Sequence, residues 1–284
     1  MHTFLIILVT AVWGSTFVII KDTVASVNPS VIVLSRCFLA ALPLFVAEMI
    51  RNPRGLFEKT TILNGGVLGV LIAATYISQT IGLQYTSSGH SAFITGSAVV
   101  LVPIILLLMF RERLSLSAGM CITIVMVGLF LLTYDIETRI NKGDLITLIT
   151  GFSSALHIVL SGRFVKTTPD TSGMIAWQFV GAGLAGVMSF FALDASDAAL
   201  TARSAAAIAY LGFMGTLFCY FVTVWVQKYV SSLLVALTFA LEPIFAAFFG
   251  FWILQETLSG REAFGALMIL GGVILFQLRE KVQH

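Results

Sequence analysis

Apolar runs about as long as the ~20 residues a helix needs to cross a hydrocarbon core of about 30 Å recur along the whole chain, each ended by a short polar break. The pattern predicts spans near 2–20, 31–50, 63–83, 90–110, 115–134, 143–162, 174–193, 204–226, 232–254 and 262–278. The breaks carry turn chemistry, as in Asn28-Pro29-Ser30, Arg51-Asn52-Pro53-Arg54-Gly55, Thr86-Ser87-Ser88-Gly89 and Thr168-Pro169-Asp170. Strands of a membrane barrel would alternate over roughly ten residues; stretches such as 99–110 and 121–134 are instead apolar on every side. The expected fold is all-α and integral to the membrane, with ten helices in one transmembrane domain. The first run has neither a basic n-region nor an Ala-x-Ala site, so it reads as the first span rather than a signal peptide.

The chain also resembles itself. Sliding it by 144 residues brings Tyr76 onto Tyr220, Tyr85 onto Tyr229, Ser87-Ser88 onto Ser231-Ser232, Ala92 onto Ala236 and Gly128 onto Gly272. At the same offset Glu112-x-Leu114-Ser115 falls on Glu256-x-Leu258-Ser259. Such a register predicts two five-helix repeats, 1–142 and 143–284. Because five is odd, the second repeat enters the membrane from the opposite side, which makes the repeats inverted. That arrangement suits a carrier that opens alternately to each side of one central site.

Composition agrees with a bilayer as solvent. Of 284 residues, 58% are hydrophobic and 11% charged, against about 25% charged in a soluble domain; mean hydropathy is +1.00. A net charge of +2, without a basic tract, gives no reason to expect nucleic acid. Charge does bear on orientation. With the N-terminus inside, the inner loops and C-tail hold Arg51, Arg54, Lys59, Arg111, Arg113, Arg163, Lys166, Lys228, Arg279 and Lys281, and the outer loops hold Lys21, Arg139, Lys142, Arg203 and Arg261. Ten against five places both termini in the cytoplasm. Cys37, Cys121 and Cys219 lie in apolar runs, have no metal-ligand spacing and read as small buried hydrophobes.

Several segments together resemble the ten-helix EamA-type branch of the drug/metabolite transporter superfamily: Trp13-Gly14-Ser15-Thr16-Phe17 with Lys21, Arg36-Cys37-Phe38-Leu39-Ala40, Tyr85-Thr86-Ser87-Ser88 leading to Ala92, Glu112-Arg113-Leu114-Ser115, Leu241-Glu242-Pro243 and Glu256-Thr257-Leu258-Ser259. The resemblance covers nearly the whole chain. Members of that family export amino acids, other metabolites and toxic compounds from bacteria, commonly in exchange for protons, so it implies a multi-pass exporter of the bacterial inner membrane. The family's proline about 13 residues before the Glu is matched by Pro243 before Glu256; in the first half Pro103 precedes Glu112 by nine, so a bend in span four is not specified.

Ionisable groups within spans are costly and mark candidate sites. Glu242 lies near mid-depth in span nine beside Pro243, which removes a backbone donor. A carboxyl there can bind and release a proton as a coupling site, or be held by Arg36 or a neighbouring helix. Arg36, about five residues into span two, either snorkels outward or reaches Glu242. His157 falls on Trp13 at the repeat offset and serves a relay, a substrate contact or a plain hydrogen bond; His90 is expected at the outer interface. Tyr76 and Tyr220 coincide at mid-span. With Trp13, Gln79, Ser91, Thr95, Trp177 and Gln178 they are expected to line a cavity for a partly apolar small molecule, the alternative for each aromatic being helix packing. Gly65 with Gly69, and Ala246 with Gly250, have the small-residue spacing of close helix contacts. Glu112 and Glu256 are expected to cap or anchor the helices that follow them.

These residues point to a secondary transporter exporting amino acids or related metabolites with protons as the coupling species. A multidrug or quaternary-ammonium exporter uses the same carboxylate and aromatics for a cation. A non-transporting sensor or a membrane-embedded enzyme is the alternative of another class. Catalysis is not expected: neither His-x-x-x-His nor Gly-x-Ser-x-Gly nor a metal-ligand pair occurs, and without a Walker-type loop no nucleotide or other cofactor is expected.

Overall fold

Polar residues in the breaks start the helices. Asn28 accepts from Ser30 N with Pro29 in the first turn, Ser115 accepts from Ala118 N, Ser231 from Leu234 N, and Asn141 forms a reciprocal capping box with Asp144. A computed structural model describes residues 2–134, 140–192, 200–254 and 259–283. Among these, ten helices are long and apolar enough to cross a membrane, and no strand occurs.

They are α1 (His2–Thr23), α2 (Pro29–Arg51), α3 (Lys59–Tyr85), α4 (Ser88–Phe110), α5 (Leu116–Thr133), α6 (Lys142–Thr167), α7 (Thr171–Ala192), α8 (Ala202–Val226), α9 in two segments (Ser232–Phe239 and Glu242–Leu254) and α10 (Gly260–Gln283). A single helical turn, Pro53–Leu56, lies between α2 and α3. Several helices outrun the expected spans, α3 and α6 most clearly, because hydropathy reports only the part in hydrocarbon while hydrogen-bonded turns continue into the headgroup layer.

Two helices break at corresponding places. In α4, segments Ser88–Gly96 and Ala98–Phe110 meet at Ser97, and the segments of α9 meet at Ala240 and Leu241; the 144-residue offset superposes Ser97 on Leu241. Three-residue turns carry both breaks: Val100 N donates to Ser97 O over 2.9 Å, and Leu241 N donates to Thr238 O over 3.0 Å. The break in α4 therefore forms without a proline at the joint. Within α8, residues Phe213–Phe218 wind as a π-helix.

The helices pack α3 against α6 and α7, α2 against α7, α1 against α9, and α5 against α10. Apolar side chains gain little by leaving lipid for protein, so close backbone approach and hydrogen bonds hold the bundle. Gly69 lets α3 reach α7: a Cβ there would stand 2.6 Å from the Gln178 carbonyl. Gly14 does the same for α1, where a Cβ would stand 2.6 Å from Phe245 Cβ and 2.8 Å from the Glu242 carbonyl.

At the end of the bundle that carries the N-terminus, Arg51 pairs with Glu48 at 2.8 Å and lies 3.8 Å from Asp170, and Asn64 donates to Thr168. At the other end Lys21 donates to the Leu83 and Thr86 carbonyls, and Thr86 donates to Asp144. His90 belongs to this second network. It is 4% exposed, 3.6 Å from Asp144 and stacked on Tyr134, so it lies at that end of the bundle with its side chain packed inside the protein. Glu112 does not cap α5; it pairs with Arg163 of α6 while Ser115 caps the helix. Glu256, Thr257 and Leu258 lie outside the described residues. The three cysteines are buried and unpaired with one another.

Candidate functional site

Near mid-bundle a cavity of about 40 Å3 lies among α1, α2, α3, α4, α6, α8 and α9. At roughly 10–15 Å3 per water on this measure, it has room for about three. Seven of the eleven residues expected at a site line it: Trp13, Arg36, Tyr76, Gln79, Thr95, Tyr220 and Glu242.

Its walls are aromatic. Trp13 meets Tyr220 edge to face with centroids 5.2 Å apart and Phe239 at 4.9 Å. Tyr220 is met in turn by Tyr76 at 5.9 Å and by His157 at 5.0 Å. Such tilted contacts put the positive edge of one ring on the negative face of the next.

Arg36 enters this box fully buried, at 1% exposure. Its guanidinium carbon sits 3.7 Å from the Tyr76 ring centroid, and Nε donates to Thr216 Oγ1 over 2.9 Å. The π-helical turn of α8 makes this possible. Thr216 Oγ1 donates five residues back to the Leu211 carbonyl, while the Gly215 carbonyl, turned out of the helix, accepts from Trp13 Nε1 at 2.8 Å and from the Tyr76 hydroxyl at 3.2 Å. Gly215 also makes room, since a Cβ on it would stand 3.2 Å from Arg36 Nη2. Arg36 Nη1 has no hydrogen-bond partner among the described residues.

Glu242 opens the second segment of α9, immediately after the break, and the approach of α1 at Gly14 holds it against the cavity. It is 9% exposed. Among the described residues its carboxylate makes no ion pair, so the alternative in which Arg36 holds it does not form. The cavity is thus bordered by one carboxyl group without an ion-pair partner and one buried guanidinium with an unpartnered nitrogen, walled by aromatic rings.

Four expected residues are elsewhere. Trp177 belongs to a packing cluster, its Nε1 donating to the Leu56 carbonyl and its ring standing 5.4 Å from that of Phe45. His157 lies behind Tyr220, with Nε2 3.2 Å from Gln178 Oε1. Gln178 is thereby a partner of the histidine and faces away from the cavity. Ser91 is fully buried outside the lining. Conversely, Thr16, Phe17, Thr75 and Ser154 do line the cavity, and Thr216 supports Arg36 from beneath. Thr16 and Phe17 belong to the Trp13–Phe17 segment that carries the family resemblance, without a role assigned to either; Thr75 and Ser154 had no such mark, since a hydroxyl in an apolar helix usually bonds its own backbone, as Thr75 does to Leu71 O at 2.8 Å.

Two larger cavities lie at the bundle ends. One of about 640 Å3 is bordered by Lys21, Asp22, Pro243, Ala246 and Glu262, and reaches the residue next to Glu242. The other, of about 360 Å3, lies at the opposite end among α4, α5, α6, α9 and α10.

The EamA-like transporter family model matches this chain twice, over residues 2–134 and 141–278. An uncharacterized transporter of Archaeoglobus fulgidus is 26% identical over 273 residues, covering 96% of this chain and 84% of its own. A Salmonella typhimurium protein named "Probable amino-acid metabolite efflux pump" is 24% identical over 288 residues, covering 96% and 93%. A solved crystal structure shares the fold with a TM-score of 0.78 at 14% identity, covering 99% of this chain and 98% of that one. With ten apolar helices and both halves matched, the chain is a multi-pass membrane transporter, not an enzyme, and belongs to the EamA-like transporter family.

Proposed function

We propose that this protein exports amino acids or closely related zwitterionic metabolites across the bacterial inner membrane, in exchange for protons and by alternating access. The observation that carries this reading is the pair of ionisable groups without a salt-bridge partner on one cavity, Arg36 and Glu242. Arg36 Nη1 is a buried donor without a partner among the described residues, which suits a substrate carboxylate, a group to which a guanidinium can offer two parallel hydrogen bonds. Glu242 is available to the substrate ammonium. Buried charges are costly unless paired, so a ligand that supplies both counter-charges is stabilised at this site.

A quaternary-ammonium substrate fits less well. It would find Glu242 and the rings, but Arg36 lines the same small space and repels a bare cation. The name of the Salmonella relative agrees with an amino-acid cargo.

Protonation of Glu242 and occupancy by the ammonium exclude each other, since both neutralise one carboxylate. A proton arriving from the outer side thereby displaces the substrate, and outward release is tied to inward proton movement. Alternation is supported by the 144-residue register, by the breaks in α4 and α9 at corresponding residues, and by the match of one family model to each half. We read residues 1–142 and 143–284 as inverted repeats on that basis, with both termini cytoplasmic from the excess of Lys and Arg on that side.

Uptake into inverted vesicles tests this reading. A panel of neutral amino acids, their methyl esters, N-acetyl derivatives and tetraalkylammonium ions is offered with and without a pH gradient. Uptake limited to free amino acids and driven by the gradient is expected; equal transport of the tetraalkylammonium ions would replace the zwitterion by a cation.

A further inference from the structure

The cavity at the N-terminal end of the bundle has features that the transport reading does not use. Arg113, Arg163, Lys166 and Arg279 border its 360 Å3, and the one carboxylate among the described residues that line it, Glu112, is engaged by Arg163. Arg113, Lys166 and Arg279 make no ion pair or hydrogen bond among the described residues. Two helix N-termini converge on the same space: α5, capped by Ser115, and α9, capped by Ser231. Each brings the partial positive charge of its dipole, and Ser117 and Ser232 add hydroxyls to the wall. Cations, helix ends and hydroxyls together suit a phosphate monoanion or diester.

One observation separates a lipid from a soluble anion. The lining passes through Leu114 and Ser115 into a shallow groove of about 650 Å3 along α5, bordered by Leu116, Gly119, Met120, Thr123 and Ile124. Leu116 is 84% exposed and Met120 49%, on the side of α5 turned away from the bundle. A soluble phosphate has no use for an apolar groove leaving its site, whereas an acyl chain does.

We propose that this cavity and groove form a specific site for an anionic phospholipid of the leaflet at the N-terminal end: the headgroup phosphate sits among Arg113, Lys166 and Arg279, and one acyl chain lies along Leu116 and Met120. Basic pockets between transmembrane helices bind such headgroups in this way. The site ties the outer pair α5 and α10 to α4, α6 and α9, and it does not depend on the identity of the transported solute.

Native mass spectrometry of the full chain, purified in detergent and stripped of lipid, tests the proposal. Phosphatidylglycerol should bind at least tenfold more tightly than phosphatidylcholine. Arg113→Gln/Lys166→Gln/Arg279→Gln should lose that binding at least fivefold, while Arg54→Gln/Lys59→Gln/Lys228→Gln, which removes the same charge at the same membrane face outside the cavity, should change it less than twofold. Equal losses in the two triple variants would reduce the effect to general surface charge and overturn the site. A wild-type measurement serves even if a variant does not fold: glycerol phosphate and inorganic phosphate, which carry the anion without a chain, should compete at least a hundredfold less well than phosphatidylglycerol. Competition by either at equal concentration would mark a soluble-anion site and overturn the lipid.

Discussion

Tyr76 and Tyr220 meet edge to face across the central cavity with ring centroids 5.9 Å apart, and they are the same position of the chain's two halves under the 144-residue offset. Their surroundings differ. Tyr76 carries the Arg36 guanidinium on its face and donates toward Gly215 O and Thr216 Oγ1, whereas Tyr220 is the ring on which Trp13, His157 and Phe179 converge.

Tyr76→Phe should keep the stacking and lose the hydroxyl contacts, a change of about 0.5–1.5 kcal/mol in stability with less than a fivefold loss of substrate affinity. Tyr220→Ala removes the ring that four others pack on, so affinity should fall at least tenfold and the melting temperature should drop. Ligand-induced thermal shifts and radioligand binding check both; identical shifts in wild type and both variants would end the shared-cavity argument.

Arg36→Lys keeps the charge but lacks the planar fork that spans the Tyr76 ring and Thr216. Transport of free amino acids is expected to fall tenfold or more. Transport of their esters, which lack the carboxylate, should change little. The ratio of the two rates, measured in proteoliposomes, reports whether Arg36 reads that group.

Glu242→Gln preserves size and hydrogen bonding while removing the exchangeable charge. Gradient-driven uptake into inverted vesicles should vanish, with folding intact by thermal denaturation. Unchanged pH-dependent transport would remove Glu242 as the coupling group.

Gly14→Leu should force α1 away from α9, because even a Cβ there would stand 2.6 Å from Phe245 Cβ and 2.9 Å from Ala246 N. Overpacking of this kind costs about 1–3 kcal/mol, visible as a lower melting temperature and reduced membrane yield. Gly66→Ala is the control. Nothing lies within 4 Å of a Cβ at Gly66, and the substitution should be neutral or slightly stabilising.

The spans were legible because lipid selects composition over a whole helix length, and Arg36, Glu242 and the tyrosine pair stood out as polar or matched positions within apolar runs. What was not legible has a common physical origin. In a helix apolar on every side, periodicity does not say which face meets the bundle, so Trp177 and Gln178 could not be separated from Tyr76 and Gln79 by sequence. The break at Ser97 carries no proline, and the π-helical turn at Phe213–Phe218 bonds partners distant in sequence, Arg36, Trp13 and Tyr76, which local spacing does not reveal. Thr216 became visible only once that turn was known.

Neither charge on the cavity has a counterpart in the other half: the 144-residue offset lays Arg36 over Val180 and Glu242 over Ala98. A carrier whose halves were chemically alike would interconvert between two-fold-related states of equal energy and treat its cargo alike from either side. On the proposed repeat, the sequence register relates the halves while the chemistry of the cavity is one-sided. Exchanging the postures of the halves therefore does not carry the site onto itself. The two faces are expected to differ in affinity, a built-in rectification that comes from where the lone arginine and the lone glutamate sit.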